Sequence, residues 1–332
     1  MSNSTLHMLL QEYERNRTNA EYRSRDKKDK LYEEHPRLQE IELELSQISI
    51  ATAKQLLMNK DDTLLEKLHE KIHILKQEKQ TILSSLHLTE LDLLPQYHCT
   101  VCKDTGYVQE EETVYSTMCN CLKQRLYDLE YNKCNIANLD KQNFSNFRLD
   151  YYSTECDESK YKSKISPREN MQKIQAIITK FIENFDDATE KNLLFTGNTG
   201  LGKTFLSCCI ANEMLQKGKT VLYQTSSNML DMIMDYRFGK STVSPQMYQN
   251  LLDVDLLIID DLGTESMNQM KFAELFNVLN TRLLQPHHKT IISTNLSLQN
   301  LFAKYDERIV SRLVGNYHIC YFFGEDIRFK TR

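Results

Sequence analysis

No apolar run approaches the roughly 18 residues that a bilayer-crossing helix needs, so the sequence offers no membrane span. The N-terminus lacks the basic-then-apolar pattern of a secretory signal. A cytoplasmic protein is therefore expected, and there disulfides are not the default use of the nine cysteines. Positive charge is not in excess either: 41 Lys and Arg face 46 Asp and Glu, for a formal net charge of −5. That balance argues against a dedicated duplex-DNA binder but leaves room for a local basic surface. Glycine is scarce and unevenly spread: of nine, eight fall between Gly197 and Gly324, and only Gly106 comes earlier. The contrast separates a helical N-terminal part from a C-terminal part with tight strand-to-helix turns. A chain of 332 residues, 40% apolar and 26% charged, has the make-up of a globular protein with two domains or one extended domain.

What the glycines do is clearest in Gly197-Asn198-Thr199-Gly200-Leu201-Gly202-Lys203-Thr204, which matches G-x-x-x-x-G-K-[ST]. Residues 192–196 before it read as a short buried strand, and residues 205–215 after it as a helix. Glycines let the backbone wrap a polyphosphate, whose charge then faces loop amides and a helix N-terminus. Lys203 would reach the β- and γ-phosphates, and the Thr204 hydroxyl would face Mg²⁺. The spacing predicts nucleotide binding.

Residues 1–35 are polar, with some helix expected and Leu6, Leu9 and Leu10 as a small apolar anchor. A helical period then runs through Leu38, Ile41, Leu45 and Ile48, broken at residues 58–62. Thr63 with Glu66 reads as a capping box opening a second helix, whose seam passes Leu65, Leu68, Ile72, Leu75, Ile82 and Leu86, with Lys79 as its one polar interruption. The pair predicts an antiparallel hairpin, which either packs as structure or docks another protein.

Cys99-x₂-Cys102 is a half-site for tetrahedral zinc, and Cys119-x-Cys121 supplies a second, tighter pair after a knuckle-like turn at Gly106. Four thiolates would leave no open position, so such a site would be structural. The alternatives are neutral thiols in a small core or redox use of the first pair, which the nearby second pair disfavours. His98 could replace one thiolate but is awkwardly adjacent to Cys99. The remaining cysteines, 134, 156, 208, 209 and 320, read as packing residues.

A helix is expected over residues 122–135, and then a polar strap with aromatics at Phe144, Phe147, Tyr151 and Tyr152. Ser166-Pro167-Arg168-Glu169 opens the next helix, to about Phe185. A strand over 220–224 and a helix capped by Ser226 or Ser227 follow; residues 236–250 read as looser, mildly basic through Arg237 and Lys240. Leu256-Leu257-Ile258-Ile259-Asp260-Asp261 is a doubly buried strand that brings Asp260 out beside the P-loop to hold Mg²⁺ or its water, with Asp261 next in line, either to polarise water or to shape the magnesium shell. A helix over 270–284 precedes the strand 290–295, where Asn295 can turn an amide toward a γ-phosphate or an attacking water. Residues 298–314 contain a helix bearing Arg308 and Arg312 on one face, ended by Gly315, before a last strand over 317–323.

In this order, GNTGLGKT, LLIIDDLG, IISTN and ERIVSRLVG resemble the bacterial replicative-helicase loader family, of the DnaC/DnaI type, within the AAA+ ATPases. HCTVCKDTGYV…CNCLKQR resembles that family's cysteine-bearing N-terminal segment, and the IstB-type transposition helpers share nearly the same ATPase motifs. The resemblance implies an α/β fold, an AAA+ P-loop αβα core behind a helical zinc-bearing adaptor; the short stretch after the last strand departs from the AAA+ pattern, so no C-terminal helical lid is expected. The resemblance covers about residues 96–332, with a cysteine-rich segment (96–135), a linker (136–165) and the ATPase domain (166–332); no motif assigns the helical region before it (1–95), whose expected hairpin is consistent with helicase docking. It implies Asn295 as sensor 1, Arg312 as the finger that enters a neighbour's site, and Arg308 beside it. The implied cofactors are ATP, Mg²⁺ and Zn²⁺; the implied partners are a hexameric replicative helicase, single-stranded DNA and further copies of the chain. The expected activity is an ATPase, weak until assembled, that loads the helicase. The rival expectations are a transposase helper or an ATP-binding adaptor without turnover. Asp260-Asp261 departs from the commoner Asp-Glu, and the shorter side chain argues for modest intrinsic hydrolysis.

Overall fold

The computed structural model describes residues 3–57, 62–109, 115–130, 141–240 and 245–329. The chain divides into two compact units, the first His7–Thr117 and the second Met118–Arg332 together with Met1–Leu6.

α1 (Asn3–Glu34), which belongs to the first unit from His7 onward, is one continuous helix, far longer than its polar sequence suggested. It stops where Pro36 takes the first position of α2 (Pro36–Leu57), since the residue before a proline is pushed out of the helical region. α3 (Asp62–Ser85) returns against α2. Ile41, Ile48 and Leu75 are buried in this seam with Leu45, Leu68, Ile72 and Ile82 around them, and Leu38 meets Leu83 in a second cluster. These pairings make the hairpin antiparallel. Lys79 fits the seam because its ammonium ends on Glu42 (3.0 Å) and Glu90 (2.9 Å). Residues 58–61 and the side chains of Thr63, Leu65 and Glu66 lie outside the described residues. In the cysteine segment, β1 (Tyr107–Gln109) and β2 (Ser116–Met118) pair as a two-stranded sheet.

The second unit begins with α4 (Asn120–Glu130), one turn of helix α5 (Glu158–Tyr161), and α6 (Pro167–Glu183). α6 opens on the expected box: Ser166 Oγ accepts from the Glu169 amide, and the Glu169 carboxylate accepts from the Ser166 amide. Alternating strands and helices follow: β3 (Asn192–Gly197), α7 (Lys203–Gln216), β4 (Val221–Thr225), α8 (Ser226–Arg237), α9 (Pro245–Asp253), β5 (Leu256–Leu262), α10 (Gln269–Leu283), β6 (Lys289–Thr294), α11 (Leu298–Lys304), α12 (Glu307–Asn316) and β7 (Tyr317–Phe322). The sheet is parallel, in the order β4-β5-β6-β3-β7. Side chains alternate between two cores. Leu194, Leu222, Leu257 and Ile292 pack with α8, α9, α10 and α12 on one face. Leu193, Phe195, Val221 and Ile258 pack with α6 and α7 on the other. Each such fully buried Leu or Ile contributes ~1.5–3 kcal/mol, and the result is a three-layer αβα stack with β3 inside it. Arg282 of α10 is fully buried and bolts that helix down through bonds to the carbonyls of Leu251, Leu252, Val254 and Lys289. Burial pushes its guanidinium down to about 10.

Four local expectations change. The cap of α8 is Thr225, whose side chain accepts from the Asn228 amide; Ser226 and Ser227 are already helical. The stretch read as loose holds the last two residues of α8 and the first six of α9, which starts at Pro245. One helix over 298–314 becomes two, because Asp306 caps α12 through the Arg308 amide. Gly315 does not end α12, which runs to Asn316 without a left-handed residue there.

Candidate nucleotide site and cysteine cluster

β3 is buried along its whole length between β6 and β7 and delivers the P-loop at its C-terminal end, the end at which ligands bind in parallel sheets. Gly202 stands in left-handed conformation (φ +92°), and a Cβ there would fall 2.7 Å from the Tyr152 hydroxyl, which donates to the Leu201 carbonyl (3.0 Å). Lys203, at the start of α7, is buried and donates to the carbonyls of Gly197 (2.7 Å) and Asn198 (2.7 Å) and to Asn295 Oδ1 (2.8 Å). Burial pushes its pKa down, against the pull of Asp261 and Asp260. Asn295, just past β6, also donates to Asp261 (3.4 Å).

Successive strand residues normally face opposite sides of a sheet. β5 is irregular between Ile259 and Leu262, and Asp261 adopts a left-handed φ of +54°; such a bulge re-aims side chains. Asp260 is buried, accepting from Tyr223, from Ser293 and from Thr204 Oγ1 (3.2 Å). Asp261 lines the cavity, with its carboxyl raised above the usual range by burial and then by Asp260. The Thr204–Asp260 pair offers two oxygens of the kind that holds Mg²⁺ or its waters beside a P-loop.

The cavity measures about 640 Å³. One wall is the P-loop, Thr199 to Phe205; the others come from Phe147, Arg148, Tyr151 and Tyr152 of the strap and from Ile327 and Arg328 after β7. Motif reading missed these walls, along with Tyr223 and Ser293 behind Asp260. The aromatic run in an otherwise polar strap was their one sequence signal. Arg308 and Arg312 do not line the cavity. Arg312 donates to Asn280 (2.9 Å) and stacks on Phe276 at 4.4 Å, while Arg308 pairs with Asp306 (3.0 Å). Arg237 and Lys240 are engaged by carboxylates: Arg237 grips Glu274 (2.7 and 3.1 Å) and Lys240 meets Asp235 (2.6 Å).

Cys99, Cys102, Cys119 and Cys121 bring their sulfurs within 4.8 Å of one another, with Cys102 and Cys119 buried. Zn–S bonds of about 2.3 Å put tetrahedral sulfurs roughly 3.8 Å apart, so the donor set fits that ion after a small contraction. Asp104 braces the first pair from inside: its buried carboxylate accepts the amides of His98 (2.9 Å) and Cys99 (2.8 Å). The His98 ring is exposed, 3.4 Å from Asp104 and outside the sulfur group. Cys134 lies outside the described residues; Cys208, Cys209 and Cys320 are buried, and Cys156 is exposed.

Residues 153–332 match the family model for IstB-like ATP binding proteins. The replicative helicase loader DnaC of Escherichia coli (strain K12) is 28% identical over 137 residues, 41% of this chain and 55% of that protein. The putative ATP-binding protein of insertion sequence IS1162 from Pseudomonas fluorescens is 32% identical over 95 residues, 27% of this chain and 38% of that one. The chain thus spans about half the length of the curated helicase loaders it matches. A crystal structure of the DnaC helicase loader aligns at 22% identity and TM-score 0.43, over 54% of this chain and 97% of that chain.

Proposed function

The chain belongs to the IstB-like ATP binding protein family, as an AAA+ ATPase related to DnaC/DnaI helicase loaders and IstB-type transposition helpers, and from that premise we propose that it loads a replicative ring helicase onto single-stranded DNA. That kinship implies ATP binding and hydrolysis. The observation that carries the loader reading is the four-cysteine cluster and helical hairpin preceding the ATPase motifs in one chain. A loader must grip a second protein, and this region is the part of the chain that would do so.

In this reading Lys203 exchanges its carbonyl partners for phosphate oxygens, and Asn295, already hydrogen-bonded to Lys203, registers the terminal phosphate. Thr204 and Asp260 would hold Mg²⁺, which neutralises phosphate charge when bound. Asp261 orients the attacking water from the cavity wall. Arg312 serves a neighbouring copy's nucleotide, with Arg308 on the same helix, so turnover stays low until copies assemble with the helicase. Cys99, Cys102, Cys119 and Cys121 hold a structural zinc. A transposase helper is the second reading, favoured by the family match over residues 153–332. Affinity capture of the full chain with ATP present, followed by mass spectrometry, decides: a hexameric helicase supports loading, and a transposase in its place overturns it.

A further inference from the structure

The segment after β7 is built onto the P-loop. The Ile327 amide donates to the Gly200 carbonyl (2.9 Å). The Asp326 carboxylate occupies the space a side chain at Gly200 would need, 2.1 Å from its ideal Cβ, and Gly200 is left-handed (φ +73°), so a side chain there would be strained and would displace Asp326. Asp326 in turn holds the Arg328 guanidinium, from Nε at 2.9 and 3.1 Å and from a terminal nitrogen at 2.5 Å. Arg328 nevertheless lines the nucleotide cavity, on a wall that the motifs do not supply.

That ion pair is poorly protected, because the Arg328 side chain is 67% exposed, and exposed pairs contribute little. Lys203 lines the same cavity, and the charge on Arg328 adds to burial in pushing the Lys203 ammonium down. Two like charges on one cavity are relieved by an anion between them. A polyphosphate carries several negative charges against the single one on Asp326, and a guanidinium fork suits phosphate oxygens.

We propose that Arg328 leaves Asp326 to bind the polyphosphate of a nucleotide in this cavity, so that the segment Gly324–Phe329 senses a filled site from within the same chain. This rests on the P-loop binding nucleotide, and it gives the site a second phosphate-binding cation in cis, distinct from the arginines of α12.

Calorimetric titration of the full chain with ATP, ADP and AMP in Mg²⁺ tests it. Arg328→Ala should weaken ATP about tenfold, ADP less, and AMP hardly at all. Asp326→Asn, which removes the competing carboxylate, should tighten ATP severalfold, and the gain should vanish in the Arg328→Ala background. Arg328→Lys, which keeps charge without the fork, should fall between wild type and alanine and serves where the alanine variant fails to fold. Unchanged ATP affinity in Arg328→Ala, or equal losses for ATP, ADP and AMP, would overturn the assignment, the latter by showing a change of loop shape. Wild-type protein that binds no ATP would instead sink the P-loop reading and this inference with it.

Discussion

Gly202→Ala tests the seam between strap and P-loop. The substitution places a Cβ 2.7 Å from Tyr152 Oη at a residue whose φ is +92°. Left-handed backbone costs a residue with a Cβ ~1–2 kcal/mol, and moving the hydroxyl forfeits its bond to Leu201, another ~1 kcal/mol. The expected loss is therefore about 2–3 kcal/mol in the ATPase unit. Tyr152→Phe alone should cost ~1 kcal/mol. Adding it to Gly202→Ala should cost less than the sum, because the clashing atom is gone, with a coupling of ~1 kcal/mol. Urea denaturation resolves this if the transition read is the one that nucleotide shifts, since ligand stabilises only the unit that binds it. Additive losses, or Gly202→Ala protein within ~0.5 kcal/mol of wild type, would refute the packing of Tyr152 on the loop.

Lys203→Ala should weaken ATP about 10- to 100-fold, the worth of charge-assisted bonds, while the protein stays folded; unchanged affinity and turnover would reject its role. Protein purified without added zinc should carry one zinc per chain, and Cys102→Ser should lower zinc retention and loosen the cysteine segment more than the ATPase unit, as local metal-coupled folding requires; metal analysis of folded wild-type protein that finds almost none would remove the site. Arg312→Ala should spare ATP binding and abolish partner-stimulated hydrolysis. Mixing it with Lys203→Ala protein should restore some activity, since an interface with both residues intact can form; no recovery despite co-assembly would place Arg312's action within its own chain.

What the sequence disclosed follows from range. The P-loop, the buried run into Asp260 and the spacing of Leu38, Ile41, Leu45 and Ile48 are each set by chemistry within a few residues, and strand and helix ends fell close to expectation. The Arg148–Tyr152 strap and the Gly324–Phe329 segment flank one cavity only because β7 lies beside β3 at the end of a β4-β5-β6-β3-β7 sheet, and no local period encodes that order. α1 was underread because its charges mask any apolar stripe. The cap of α8 lies one or two residues before the expected Ser226 or Ser227, among three consecutive hydroxyls where only backbone conformation decides: Thr225 is extended (φ −73°, ψ 149°) and so is free to cap.

The adjacent carboxylates show how function depends on such a detail. A regular strand would turn Asp260 and Asp261 to opposite faces and leave one out of the site. The irregularity in β5, with Asp261 left-handed, keeps both at the nucleotide end in different settings. Tyr223 and Ser293 hold the Asp260 carboxylate, whose Oδ2 also accepts from Thr204, in the setting that the proposed Mg²⁺ role calls for. Asp261 reaches the cavity itself, tied to Asn295 by a long bond (3.4 Å) that a bound phosphate could draw tighter. The division of labour between two identical side chains thus comes from backbone geometry. A glutamate in place of Asp261 would carry its carboxylate one methylene farther from the same left-handed backbone, so under the proposed function the shorter Asp261 is expected to give slow intrinsic hydrolysis.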